Sequence, residues 1–111
     1  MVVWNCVVTA WETAMYASLR HYRIEPKNMD ELVRRVPGAI EVMSKLDGFR
    51  AYYVVRAGDD TLATVSVFAD KAGAVLSNQA AARWVKENAA DLFSGTVDAV
   101  TGEIVAYRTG S

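Results

Sequence analysis

The sequence predicts an α+β fold, with one antiparallel sheet and both helices on one of its faces. Three observations carry this. From Met15 onward, strand-like and helix-like patterns follow each other as strand, helix, strand, strand, helix, strand. The middle pair of strands is separated only by Ala57-Gly58-Asp59-Asp60, a hairpin turn with a glycine for positive φ. Apolar side chains also fall on both surfaces of several strands, whereas two helices can shield only one.

Residues 2–9 offer a weak strand, with Val2, Trp4, Cys6 and Val8 on one face and Val3 and Val7 on the other. Residues 15–24 read better, because Tyr16, Leu19, Tyr22 and Ile24 suit a pleated surface and Pro26 ends the run. The period then changes. Met29, Leu32, Val33, Val36, Ile40, Met43 and Leu46 recur at spacings of three and four, the apolar stripe of a helix. Pro26 suits its first turn, Pro37-Gly38 predicts a kink or two abutting segments, and Asp47-Gly48 stops it.

Phe49 to Arg56 and Thr61 to Phe68 are rich in aromatic and β-branched residues and form the hairpin. Asp70 is placed to N-cap a second helix reaching about Ala90. Its expected buried stripe is Ala72, Val75, Leu76, Gln79, Ala82 and Val85, with Ala89. Val97 to Tyr107 is the last strand, with Gly102 as a bulge. This order is the ferredoxin-like βαββαβ unit. The uncovered face of its sheet calls for a second copy of the chain, so a homodimer is expected.

Composition narrows the function. The chain has 111 residues, which suits one domain, and 52% of them are hydrophobic, as in a folded globular protein. A net charge of −1, with Lys and Arg scattered among Asp and Glu, argues against nucleic acid. The single cysteine, Cys6, leaves no internal disulfide and no zinc cluster, so a cytoplasmic setting is expected. The apolar run at residues 1–8 is too short for a membrane span and lacks the positive start of a signal peptide. No Gly-rich phosphate loop and no clustered metal ligands are present, so neither metal nor cofactor is expected.

Several segments carry a resemblance. They are Asp47-Gly48-Phe49-Arg50-Ala51-Tyr52-Tyr53, the Gly58-Asp59-Asp60 turn, Val67-Phe68 before Asp70, and Ser77-Asn78 through Ala81-Ala82 to Trp84-Val85 and Glu87-Asn88. From Met15 to Tyr107 the chain resembles the antibiotic-biosynthesis-monooxygenase-like branch of the dimeric αβ-barrel superfamily, in a subgroup whose members often have no assigned reaction. The resemblance implies a domain over residues 15–107, a homodimeric barrel of two four-stranded sheets with the helices outside, and a pocket between sheet and helices in each protomer. Residues 1–14 fall outside it as an N-terminal extension, expected to lie as an extra strand against the sheet edge or the partner; residues 108–111 form a C-terminal tail.

The resemblance also implies a cofactor-independent monooxygenase acting on a small aromatic or polyphenolic substrate. Relatives of that kind use Asn, Trp and sometimes His, which points to Asn78, Trp84 and His21 as catalytic residues. Asn78 and Trp84 are six residues apart on one helix, about 240° around its axis, and so point to different sides. Haem-degrading relatives also place their Asn on the first strand, which has none here. Each residue has an ordinary structural reading: His21 as a surface residue beside Arg20 and Arg23, Asn78 bonded to backbone, Trp84 packed at a seam. Tyr16, Tyr22, Tyr52 and Tyr53 are candidates to line an aromatic pocket, with Tyr52 and Tyr53 on opposite sheet faces. Two functions therefore stay open: an oxygen-using or isomerising enzyme, or a non-catalytic homodimer that binds a small hydrophobic ligand or serves in stress. A closed pocket with converging polar groups favours the first and a filled seam the second.

Overall fold

The computed structural model describes residues 8–9 and 15–110. Four strands make the main sheet: β2 (Tyr16–Ile24), β3 (Phe49–Ala57), β4 (Thr61–Phe68) and β5 (Phe93–Glu103). They lie in the order β3-β4-β2-β5, and every neighbouring pair is antiparallel. Helix α1 (Pro26–Ser44) and helix α2 (Lys71–Asn88) cover one face, which gives the ferredoxin-like α+β arrangement that the sequence pattern predicts. A separate two-stranded ladder joins β1 (Val8–Thr9) to β6 (Ala106–Tyr107). The rest of the strand expected at residues 2–9 lies outside the described residues.

Local chemistry explains the boundaries. Pro26 occupies the first turn of α1, where a missing N–H costs nothing. Gly48 at φ 81° carries the chain from α1 into β3, and Gly58 at φ 77° turns the hairpin; both angles suit a residue without Cβ. Asp70 caps α2 by accepting a hydrogen bond from the Gly73 N–H at 2.8 Å.

Four sequence expectations need correction. Of the two arrangements expected at Pro37-Gly38, the division into two abutting segments is not found: helix α1 runs through as one element. Its buried side chains are Met29, Leu32, Ala39 and Met43; Val33 and Ile40 are exposed along a groove beside the β3 edge. The buried face of α2 is Gly73, Ala74, Ser77, Ala81 and Trp84; of the expected stripe, Val85 and Ala89 do pack against the core, but Ala72, Val75, Leu76, Gln79 and Ala82 are exposed. The reason is steric. A Cβ on Gly73 would stand 2.8 Å from Cδ2 of Phe68, so the first half of α2 rests on the sheet through its smallest residues and turns Val75 and Leu76 outward. Finally, β5 begins at Phe93 and not at Val97, and Gly102 pairs in register with Ala17. The irregularity in that ladder falls between Tyr22 and Ile24.

The core lies between sheet and helices, around Tyr22, Ile24, Met29, Leu32, Leu62, Trp84 and Leu92. The opposite sheet face is different. Register places Tyr53, Val65, Leu19 and Val100 in one row across all four strands. Tyr53 is 58% exposed, Leu19 46% and Val100 67%.

Candidate functional site

Alternation along β2 sets up the site. Ser18, Arg20 and Tyr22 look toward the helices, while Leu19, His21 and Arg23 look away. Register then adds neighbours from the flanking strands. Ser66 and Thr101 stand on either side of Ser18, and Thr64 and Ala99 on either side of Arg20. Helix α2 passes over these rows and lowers Ser77 and Asn78 onto them.

The result is a polar cluster inside an otherwise apolar seam. Nη1 of Arg20 donates to Oδ1 of Asn78 at 2.8 Å and to Oγ of Ser77 at 3.3 Å, and its Nη2 donates to Oγ of Ser66 at 2.7 Å. Ser18 donates to Oδ1 of Asn78 at 2.5 Å, and Nδ2 of Asn78 donates to Oγ1 of Thr101 at 3.0 Å. Thr101 closes the ring on Ser18 at 3.1 Å. The guanidinium can only donate, so it fixes the amide of Asn78 with its oxygen toward Arg20. Ser77 donates its own hydroxyl hydrogen bond to the carbonyl of Ala74 at 2.6 Å.

Arg20 is 2% exposed, and Ser18, Ser66 and Ser77 are fully buried. Its Nε and the Thr64 hydroxyl are buried with no partner among the described residues. A cavity of about 350 Å³ opens at this cluster, walled by Arg20, Tyr22, Asn78, Ala82, Val85, Val97 and Ala99. Its wall is mostly apolar, and a guanidinium, an amide and a phenol converge in it. That is the composition of a site that orients a small ring system. Burial pushes the Tyr22 phenol above its ordinary pKa, while the positive charge of Arg20 pulls the other way and Tyr52 adds to the rise.

The other candidates lie elsewhere. Trp84 faces a different space from Asn78, one of only about 20 Å³ beside Ala39, Tyr52 and Thr64. Its indole approaches Gly38 of α1. Tyr52 shares that space, as does the inner side of Tyr22. His21 and Tyr53 are exposed on the opposite sheet face, and Tyr16 is half-buried at the start of β2. Reading Arg20 as a sign of an exposed face around His21 is corrected by the same alternation: adjacent residues of a strand look in opposite directions. Arg20, Ser18, Ser66, Ser77 and Thr101 were not among the candidates. The available signal was polar residues at 18, 20, 64 and 66, in phase on two facing strands. Among the described residues, no three His, Cys, Asp or Glu side chains gather as metal ligands, and no helix is long and apolar enough to cross a membrane.

Comparison with known proteins gives the family. The model of the antibiotic biosynthesis monooxygenase family matches residues 15–87, more than half of the chain. The chain belongs to this family. Among solved structures, it is similar to the protein of unknown function NE2512 from Nitrosomonas europaea, at 25% identity and a TM-score of 0.72, covering 89% of this chain and 97% of that one. The monooxygenase from the ActVA-Orf6 gene of Streptomyces coelicolor, solved with nanaomycin D, is 15% identical with a TM-score of 0.67, covering 89% and 95%. SnoaB, a cofactor-independent oxygenase from Streptomyces nogalater solved as an asparagine-to-alanine mutant, is 13% identical with a TM-score of 0.56, covering 80% and 91%. At these last two identities the likeness is one of fold. No functionally curated protein matches the chain.

Proposed function

We propose that this family member is a cofactor-independent monooxygenase that takes a small aromatic or polyphenolic substrate into the cavity beside Arg20, Tyr22 and Asn78. The observation that carries the reading is the convergence of these three polar side chains on one cavity between sheet and helix, where an inert seam would be filled. The family match and the two oxygenase neighbours support the reaction class. Oxygenation of an electron-rich ring by O2 can draw its electrons from the substrate itself. An anthrone, for example, takes one oxygen atom as a carbonyl while its methylene hydrogens leave with the other as water. Asn78, held by Ser18, Arg20 and Thr101, serves to orient the ring.

The same reading includes a homodimer in the cytoplasm, with the apolar row Tyr53-Val65-Leu19-Val100 as its contact. Oxygen-electrode assays with anthrones and naphthoquinols test the chemistry. Uptake of one O2 per product is expected, with a loss of tenfold or more, on the order of one missing transition-state hydrogen bond, in Asn78→Ala. A wild-type protein inert across the panel would count against catalysis.

A second reading has its own observation. Ser18, Asn78 and Thr101 satisfy each other in a closed ring, as expected of a scaffold that binds without turnover. Native mass spectrometry that finds a retained small molecule, with no oxygen uptake, would favour that non-catalytic dimer.

A further inference from the structure

We infer that the ligand of the Arg20 cavity carries a negatively charged oxygen, a carboxylate or an ionised aromatic hydroxyl, that docks on the Arg20 guanidinium. This rests on the cavity being the ligand site and adds the ligand's charge.

Of the other arginines, Arg23, Arg34, Arg35 and Arg56 lie nearer the solvent and pair with carboxylates: Asp60 for Arg23, Glu31 for Arg34, Glu31 and Asp91 for Arg35, and Asp30 for Arg56. Arg50, Arg83 and Arg108 are exposed, where water itself solvates the charge. Arg20 is the deeply buried one, and among the described residues its partners are all neutral. Water screens an exposed cation at little cost, whereas a buried one depends on a nearby opposite charge. Here the opposite charge is missing where it is needed most.

The hydrogen bonds lead to the same conclusion. A guanidinium has five N–H donors. Three are used on Ser66, Ser77 and Asn78, and Nε is buried without an acceptor. Hydroxyls and an amide supply oriented dipoles but no net charge, so the wall of the cavity remains cationic. Tyr22 does not neutralise it, because burial favours the protonated phenol. The rest of the wall, Ala82, Val85, Val97 and Ala99, is apolar and accepts a ring. The matching ligand has a flat apolar body and one anionic oxygen, aimed at a fork that is built for oxyanions.

Two matched pairs of small aromatics test this on the whole wild-type protein: 4-nitrobenzoate against 4-nitrobenzamide, and 4-nitrophenol against 4-nitroanisole, followed by calorimetry and absorbance. At least one anion should bind about tenfold or more tighter than its neutral counterpart, as expected of a hydrogen bond to a charged group. The tighter anion identifies carboxylate or aromatic hydroxyl as the group recognised, and bound 4-nitrophenol should show the phenolate absorbance. The preference should disappear in Arg20→Met and persist in part in Arg20→Lys. Neutral ligands that bind as well as the anions, no binding by either pair, or a preference that survives Arg20→Met would overturn the inference. The wild-type comparison stands even if a variant fails to fold. None of these ligands needs to react, so loss of the anion preference removes this inference alone, and absent oxygen uptake with the preference intact removes only the catalytic reading.

Discussion

Gly38 of α1 and Trp84 of α2 meet where the two helices touch. A Cβ built on Gly38 would stand 3.3 Å from the indole Nε1 of Trp84. The glycine is therefore the floor under the largest side chain of the core, and Trp84 is held as a wedge between helices. Gly38→Ala exchanges a gain in helix propensity of about 1 kcal/mol for a contact that Trp84 must relieve by a small shift. Its net effect in urea unfolding should stay within about 1 kcal/mol of zero. Gly38→Leu has no such escape and should lose about 1–3 kcal/mol by overpacking. Trp84→Phe, in turn, should lower stability while leaving oxygen uptake largely intact, because the indole packs away from Asn78.

Gly73 makes the contrasting case on the other helix. Its missing Cβ would meet Phe68 at 2.8 and 3.1 Å and the backbone oxygen of Asp47 at 3.1 Å. Phe68 is fully buried and packs edge-on against Phe49 at 5.8 Å, so neither neighbour can retreat. Gly73→Ala should therefore cost about 1–3 kcal/mol despite the better helix former. A Gly73→Ala protein as stable as wild type in urea would contradict the close seating of α2 on the sheet.

Tyr22 predicts an alkaline effect. Burial raises its folded-state pKa above the unfolded value, with Arg20 opposing. A raised pKa means that the stabilisation is fully present below the unfolded pKa, about 10, and is lost as pH rises through the folded one. Thermal melts from pH 8 to 11 should thus fall more steeply above pH 10 for wild type than for Tyr22→Phe. Parallel curves would remove the link.

These particulars show which parts of the molecule were legible in the sequence. Period and punctuation revealed the order of strands and helices, the hairpin and the Asp70 cap, because backbone chemistry alone decides them. The seating of α2 was not legible. Its buried face is set by clearance above Phe68, and small residues outrank oily ones where a helix must come close. The polar cluster was missed for a related reason. An arginine between a leucine and a histidine looks like surface until strand register places Ser66, Thr101 and Asn78 around it. Asn78 was visible as a residue type, but its partners depend on contacts 58 and 60 positions away in sequence.

The uncovered sheet face supplies the last prediction. Tyr53, Val65, Leu19 and Val100 form a continuous apolar row, and the next row on that face, Val55, Ala63, His21 and Asp98, is apolar only on the β3 and β4 side. In the proposed dimer a twin row covers the first, and a charge placed at its centre would be buried against apolar side chains. Leu19 is 46% exposed in the single chain, so Leu19→Asp leaves the inner core untouched and acts only where a second copy would sit. Sedimentation should show wild type as a dimer and Leu19→Asp as a folded monomer, with a melting temperature that no longer rises with protein concentration. The outer face of α2 provides the control: Leu76→Asp alters an equally exposed side chain away from the sheet and should stay dimeric. A Leu19→Asp protein that remains dimeric would move the contact off this face.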